Sequence, residues 1–178
     1  MYKNGHIGLA LLFAAPFALL FGLLFGPHWA VLTLAFSFTT ARVPDMDQRL
    51  NILTHRGFTH TVWFALLVSV VMGSLVTQLI SILDFNTVGN GEFLSWLIAD
   101  IPTLVLASFG FMLGFISHLF GDILTEAYDY TINPYWPVSK KHYTLGWATA
   151  DSRIWNWGLF LSGIISATAV LFLIALGI

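Results

Sequence analysis

The stretch from 43 to 61, V-P-D-M-D-Q-R-L-N-I-L-T-H-R-G-F-T-H-T, concentrates Asp45, Asp47, Arg49, His55, Arg56 and His60 in a chain of which only 9% of residues are charged. A second piece far downstream, S-H-L-F-G-D, adds His118 and Asp122, and His6 stands near the start. Imidazole and carboxylate together are donors for Zn, Mn or Fe, whereas Ca and Mg sites are built from oxygens. The candidate ligands His6, Asp45, Asp47, His55, His60, His118 and Asp122 exceed what one tetrahedral or octahedral ion takes. The pattern therefore predicts one or two divalent ions, with any group left over acting as general acid or base.

Spacing sharpens the expectation. Asp45 and Asp47 flank Met46, so an extended loop would turn both carboxylates the same way. His55 and His60 are out of phase for one straight helix. His55 is then expected in a loop, Gly57 at a turn and His60 at the start of the next helix. His118 and Asp122 are one helical turn apart, on one face. Each group alone has an ordinary explanation as a cap, an intrahelical hydrogen bond or an interfacial histidine, which is how His28 and His142 are read. A buried ionisable residue in a membrane helix costs about 2.5–3.5 kcal/mol, however, and so many at one face point to one site.

The elements that must position these groups are membrane spans. The chain of 178 residues is 57% hydrophobic, with a mean hydropathy of +0.82. Apolar runs of helical length cover residues 7–26, 29–43, 61–83, 101–125 and 154–178. Backbone polar groups in hydrocarbon must pair internally, so these runs predict an all-α membrane protein. The expected architecture is a single integral-membrane domain over 1–178, a bundle of about five transmembrane helices with a polar metal cluster at one membrane face. The run at 7–26 is too long for the apolar core of a signal peptide and is read as a retained span. Without cysteine there is no thiolate nucleophile or ligand. A net charge of −2 gives no case for nucleic acid, and no motif assigns an oligomeric state.

Threading five helices tests the site. His6, Asp45, Asp47, His55, His60, His118, Asp122 and His142 all fall on one side of the membrane, with only His28 of the 6 histidines opposite. All 7 basic residues, Lys3, Arg42, Arg49, Arg56, Lys140, Lys141 and Arg153, share that side. By the positive-inside rule the N-terminus and the metal site are expected to be cytoplasmic, in a multi-pass protein of the cell membrane.

The pieces P-D-M-D, H-R-G-F-T-H-T, G-F-I-S-H-L-F-G-D-I-L-T and N-P-Y-W-P-V-S also resemble, in this order, the YdjM-like family of integral-membrane proteins described as metal-dependent hydrolases. The resemblance implies that Asp45, Asp47, His55, His60, His118 and Asp122 are metal residues, with His6 matching an N-terminal histidine, and that the chemistry is hydrolysis. A hydrolase acting on a phosphoester of a membrane lipid or lipid-linked substrate is the leading expectation. Arg56, between two ligands, would stabilise transition-state charge, and Arg42, Lys140 and Lys141 would contact substrate. Tyr135, Trp136, Tyr143 and Trp147 suit an amphipathic lid at headgroup depth. The rivals are a divalent-metal-binding protein or transporter without hydrolytic activity, and a structural protein whose polar cluster fixes helix packing.

Overall fold

The computed structural model of the chain describes residues 1–49, 56–83, 101–126 and 131–177. Five α-helices lie among these residues: α1 (Lys3–Phe25), α2 (Pro27–Thr40), α3 (Val62–Leu83), α4 (Ile101–Leu124) and α5 (Arg153–Ala175). Two 3-10 turns, Pro44–Arg49 and Phe58–His60, carry the polar stretch between α2 and α3. Gly26, at φ 106°, separates α1 from α2 in a conformation that L side chains rarely adopt. Pro27 then opens α2 in a first-turn position, where a missing N–H costs nothing. Ser152 caps α5 by accepting a hydrogen bond from the Trp155 N–H at 3.5 Å.

Among the described residues four helices are long and apolar enough to cross a membrane, Lys3–Phe25, Val62–Ile82, Ile101–Leu124 and Arg153–Ala175. The expected fifth span is shorter. α2 has 14 residues, about 21 Å of helix against about 30 Å of hydrocarbon. Its inner face explains why a short helix suffices: Thr33, Ser37 and Thr40 are buried against protein, with their hydroxyls bonded to carbonyl oxygens. The loop expected from residue 84 and the apolar piece at 93–99 lie outside the described residues.

α1 is the inner helix, packed against α5, α2 and α4, while α3 lies on the outer flank of α4. Association in lipid depends on close packing of small residues rather than on the hydrophobic effect. Gly8 of α1 and Gly163 of α5 each sit against the other helix's backbone, where an added Cβ would collide with carbonyl groups. Gly114 of α4 likewise meets the Ser37 carbonyl and the Thr40 hydroxyl of α2. Hydroxyls reinforce these crossings: Thr40 Oγ1 donates to the Phe111 carbonyl at 2.7 Å, and Ser37 Oγ to that of Ala10 at 3.0 Å.

The second polar segment straps the same end of the bundle. Its strand β2 (Ala148–Thr149) pairs in parallel with β1 (Thr125–Glu126) at the end of α4. The N–H groups of Leu145 and Trp147 donate to the carbonyls of Ile123 and Leu124 at 2.6 and 2.9 Å. Farther along, the Pro134 carbonyl accepts the Val62 N–H at 2.9 Å, so the strap satisfies an orphan donor in the first turn of α3.

Candidate metal centre

Four separate pieces of chain deliver the polar groups. His6 comes from α1, Asp45 and Asp47 from the first 3-10 turn, His60 from the second, and His118 with Asp122 from α4. Pro44 cannot continue α2, so the chain turns at once and brings Asp45 inward. Asp122 follows His118 at i+4, with its Oδ2 3.4 Å from His118 Nε2. His6, His60 and His118 are fully buried, and Asp122 nearly so.

Four donor atoms converge. The Nε2 atoms of His60 and His118 are 3.4 Å apart. Asp122 Oδ2 lies 3.5 Å from His60 Nε2 and 3.4 Å from His118 Nε2. Asp45 Oδ1 stands 3.8 and 3.7 Å from the same two nitrogens. Donors placed about 2.0–2.2 Å from a tetrahedral centre are about 3.3–3.6 Å apart. Adjacent donors of an octahedral ion such as Mg would be about 2.9 Å apart. The two nitrogens with either carboxylate oxygen therefore have edge lengths close to those of one face of a tetrahedral site.

The other ring nitrogens fix the tautomers. His118 Nδ1 is 2.7 Å from the Ala41 carbonyl, which can only accept, so Nδ1 carries the proton and Nε2 presents its lone pair. His60 Nδ1 faces the Thr59 hydroxyl at 3.0 Å and Asp47 Oδ2 at 3.4 Å. Asp47 Oδ2 also accepts the Thr59 hydroxyl at 2.8 Å and the Arg56 N–H at 3.0 Å. Asp47 thus stands behind His60 and holds its ring, rather than among the four convergent atoms.

His6 forms a second group with His118 and Asp122, with donor atoms within 4.8 Å of one another. Its ring stacks on His118 at 3.9 Å between centroids, and its Nε2 is 3.4 Å from Asp122 Oδ1. Neither ring nitrogen of His6 has a hydrogen-bond partner, nor does Asp122 Oδ2. Buried imidazole nitrogens and a buried carboxylate oxygen in that condition are what a cation would satisfy. Gly121 makes the stacking possible, since a Cβ there would approach His6 Nδ1 to 3.0 Å.

The set opens on Asp45, whose side chain is 23% exposed. Beside it lies a cavity of about 380 Å³ lined by Met1, Tyr2, Lys3, Arg42, Asp45, Arg56 and Ala150. Arg56 reaches from this cavity to Asp122, with Nη2 3.6 Å from Oδ1. Its backbone has φ 60°, uncommon for any residue but glycine and frequent at functional sites.

The structure brings together His6, Asp45, Asp47, His60, His118, Asp122 and Arg56, and places Arg42 at the cavity wall. It does not bring Lys140 and Lys141 there. Both are exposed on the strap, and Lys141 Nζ lies 5.2 Å over the Tyr143 ring. His55 lies outside the described residues, as does the side chain of Arg49. His142 is exposed and bonded to Thr131, and His28 sits at the opposite end, at the start of α2. Sequence reasoning missed Lys3, Thr59 and the Ala41 carbonyl. Lys3 carried a usable signal, one helical turn from His6 on the same face; a backbone carbonyl carries none.

No match was found among curated proteins or solved structures. The chain belongs to the YdjM inner membrane protein family, whose family model matches residues 1–178.

Proposed function

We propose that this protein is a membrane-embedded metal-dependent hydrolase acting on a phosphoester of a lipid or lipid-linked substrate, with its site at the cytoplasmic interface. The observation that carries this reading is the gathering of Asp45 Oδ1 and Asp122 Oδ2 about His60 Nε2 and His118 Nε2, beside a cavity lined by cations. Asp45, His60 and His118 would hold one ion, and His6, His118 and Asp122 form a second group of three donors that could take one. A divalent ion there supplies charge neutralisation and the acidification of water on which hydrolysis depends.

The chain's own residues do the rest. Asp47 and the Ala41 carbonyl keep the two imidazoles oriented with Nε2 inward. Arg56, close to both the donor set and the cavity, is placed to meet negative charge that grows on a transferring phosphoryl group. Burial of the donors excludes bulk water and strengthens each of these interactions.

A transporter remains the rival reading, and transport sites are expected near the bilayer midplane with access from both sides. Here the donors gather at one end of the bundle. Among the described residues, only His28 supplies an ionisable group at the other end. The deciding experiment measures both activities on one purified, metal-loaded sample. The hydrolase reading expects phosphate or alcohol release from a panel of phospholipids and polyprenyl phosphates. Metal flux into liposomes without any hydrolysis overturns it.

A further inference from the structure

The cavity beside Asp45 has a charge pattern that narrows what it can hold. Three cationic side chains line it, Lys3, Arg42 and Arg56, against one carboxylate, Asp45. Among its side chains the wall therefore carries two positive charges in excess, and the Met1 ammonium beside them is paired with Asp122 at 3.3 Å. Asp122 takes only Nη2 of Arg56; Nε and Nη1 of Arg56 and Nε of Arg42 are buried without a hydrogen-bond partner. Buried guanidinium N–H groups left unmade are costly, and the cavity they border is where an acceptor can reach them. Guanidinium forks match phosphoryl oxygens in pairs, and an ammonium adds a compact third charge.

We propose that this cavity is the subsite for the dianionic phosphate of a phosphate monoester, gripped by Lys3, Arg42 and Arg56. The proposal deepens the hydrolase reading and rests on it for the chemistry that follows binding. A diester brings one negative charge and two carbon substituents, which would leave one cation unmatched and crowd the guanidinium forks. A monoester brings two charges and three free oxygens. Hydrolysis of such a ligand breaks its phosphorus–oxygen bond to the alcohol and forms one to the oxygen of water. One water proton ends on the departing alcohol, and the other stays on the inorganic phosphate.

The shared chemistry, a phosphomonoester dianion, is found both in lipids and in water-soluble esters. Its binding is tested on the metal-loaded protein in detergent by calorimetric titration with inorganic phosphate and with dimethyl phosphate, alongside metal content. Phosphate is expected to bind about tenfold or more tightly than dimethyl phosphate, because two charge-assisted contacts are lost on the diester. Arg42→Gln should weaken phosphate by about tenfold or more with metal content unchanged. Lys3→Gln, on an exposed side chain, gives the same readout should Arg42→Gln fail to fold. Equal affinities for the two anions, no phosphate binding, or indifference to both substitutions overturns the subsite. Displacement of phosphate by phosphatidic acid in micelles or by glycerol 3-phosphate supports it either way, and the stronger competitor identifies the source. Phosphate binding without hydrolysis of any ester would remove the hydrolase reading and leave the subsite standing. Hydrolysis of diesters alone, with no phosphate binding, would do the reverse.

Discussion

The Nε2 atoms of His60 and His118 face each other across 3.4 Å, while the opposite nitrogen of each ring is committed elsewhere. His118 Nδ1 donates to the Ala41 carbonyl, and His60 Nδ1 is directed at Thr59 and Asp47. Two lone pairs are thus aimed at one point, with carboxylate oxygens of Asp45 and Asp122 beside them. Four electron-rich atoms at this spacing repel in the absence of a cation and attract through one.

Metal content is the first consequence. Protein purified in metal-replete detergent should hold at least one divalent ion per chain, and His118→Ala should lose it. Cobalt substitution checks the geometry as well, because tetrahedral cobalt absorbs visible light far more strongly than octahedral cobalt. A weak, octahedral spectrum would contradict the donor spacing.

Asp47 should behave differently from Asp45. Standing behind His60, it tunes the ring rather than touching the ion, so Asp47→Asn should weaken metal affinity by about 10–100-fold while leaving saturable binding intact. Asp45→Asn takes the negative charge from one of the convergent oxygens and should cost more. Competition with a chelator of known affinity ranks the two, and an Asp47 effect as large as that of Asp45 would place Asp47 on the ion.

Arg56 separates backbone from side chain. Its φ of 60° favours glycine over alanine by about 1 kcal/mol. Both Arg56→Gly and Arg56→Ala remove the guanidinium and its contact with Asp122. The glycine variant should therefore unfold at the higher temperature of the two, with hydrolysis reduced equally in both. Identical unfolding temperatures would mean that the turn relaxes on substitution.

The lysine pair on the strap should be dispensable for the anion. Lys140 and Lys141 are exposed, and Lys141 lies over Tyr143. Replacing both by alanine should change phosphate affinity less than about twofold, a surface effect screened by salt. A larger loss would bring the strap over the cavity in a way that Ala150 alone does not.

The helical architecture and most of the metal cluster were legible because both are written in residue type. Hydrocarbon admits only helices, so apolar runs read directly as spans, and the few ionisable residues stand out against them. α2 was harder. Its hydroxyl-rich inner face, Thr33, Ser37 and Thr40, is satisfied by carbonyls of α1, α2 and α4, so its length follows from neighbours and not from its own hydropathy. The division of labour between Asp45 and Asp47 was illegible for a related reason. Their alternation suggested one shared direction, but Pro44 opens a 3-10 turn that sends the two carboxylates to opposite sides of the His60 ring. Lys140 and Lys141 drew attention as charge on a long loop, and only the path of the strap shows where they point.

The scatter of the donors along the chain has a consequence for how the protein is made. His6, Asp45 and His60 are all synthesised before α4, yet none of their convergent partners from His118 and Asp122 exists until that helix is in place. α1 must enter the bilayer with a buried imidazole, and Asp47 must pair with Thr59 and Arg56, before any ion can be gripped. Metal acquisition at this site would thereby be a late event, after insertion. Once bound, an ion would fasten α1 to α4 across the longest separation that the site spans. A nascent chain arrested before residue 118 should be integrated in the membrane but unable to retain metal.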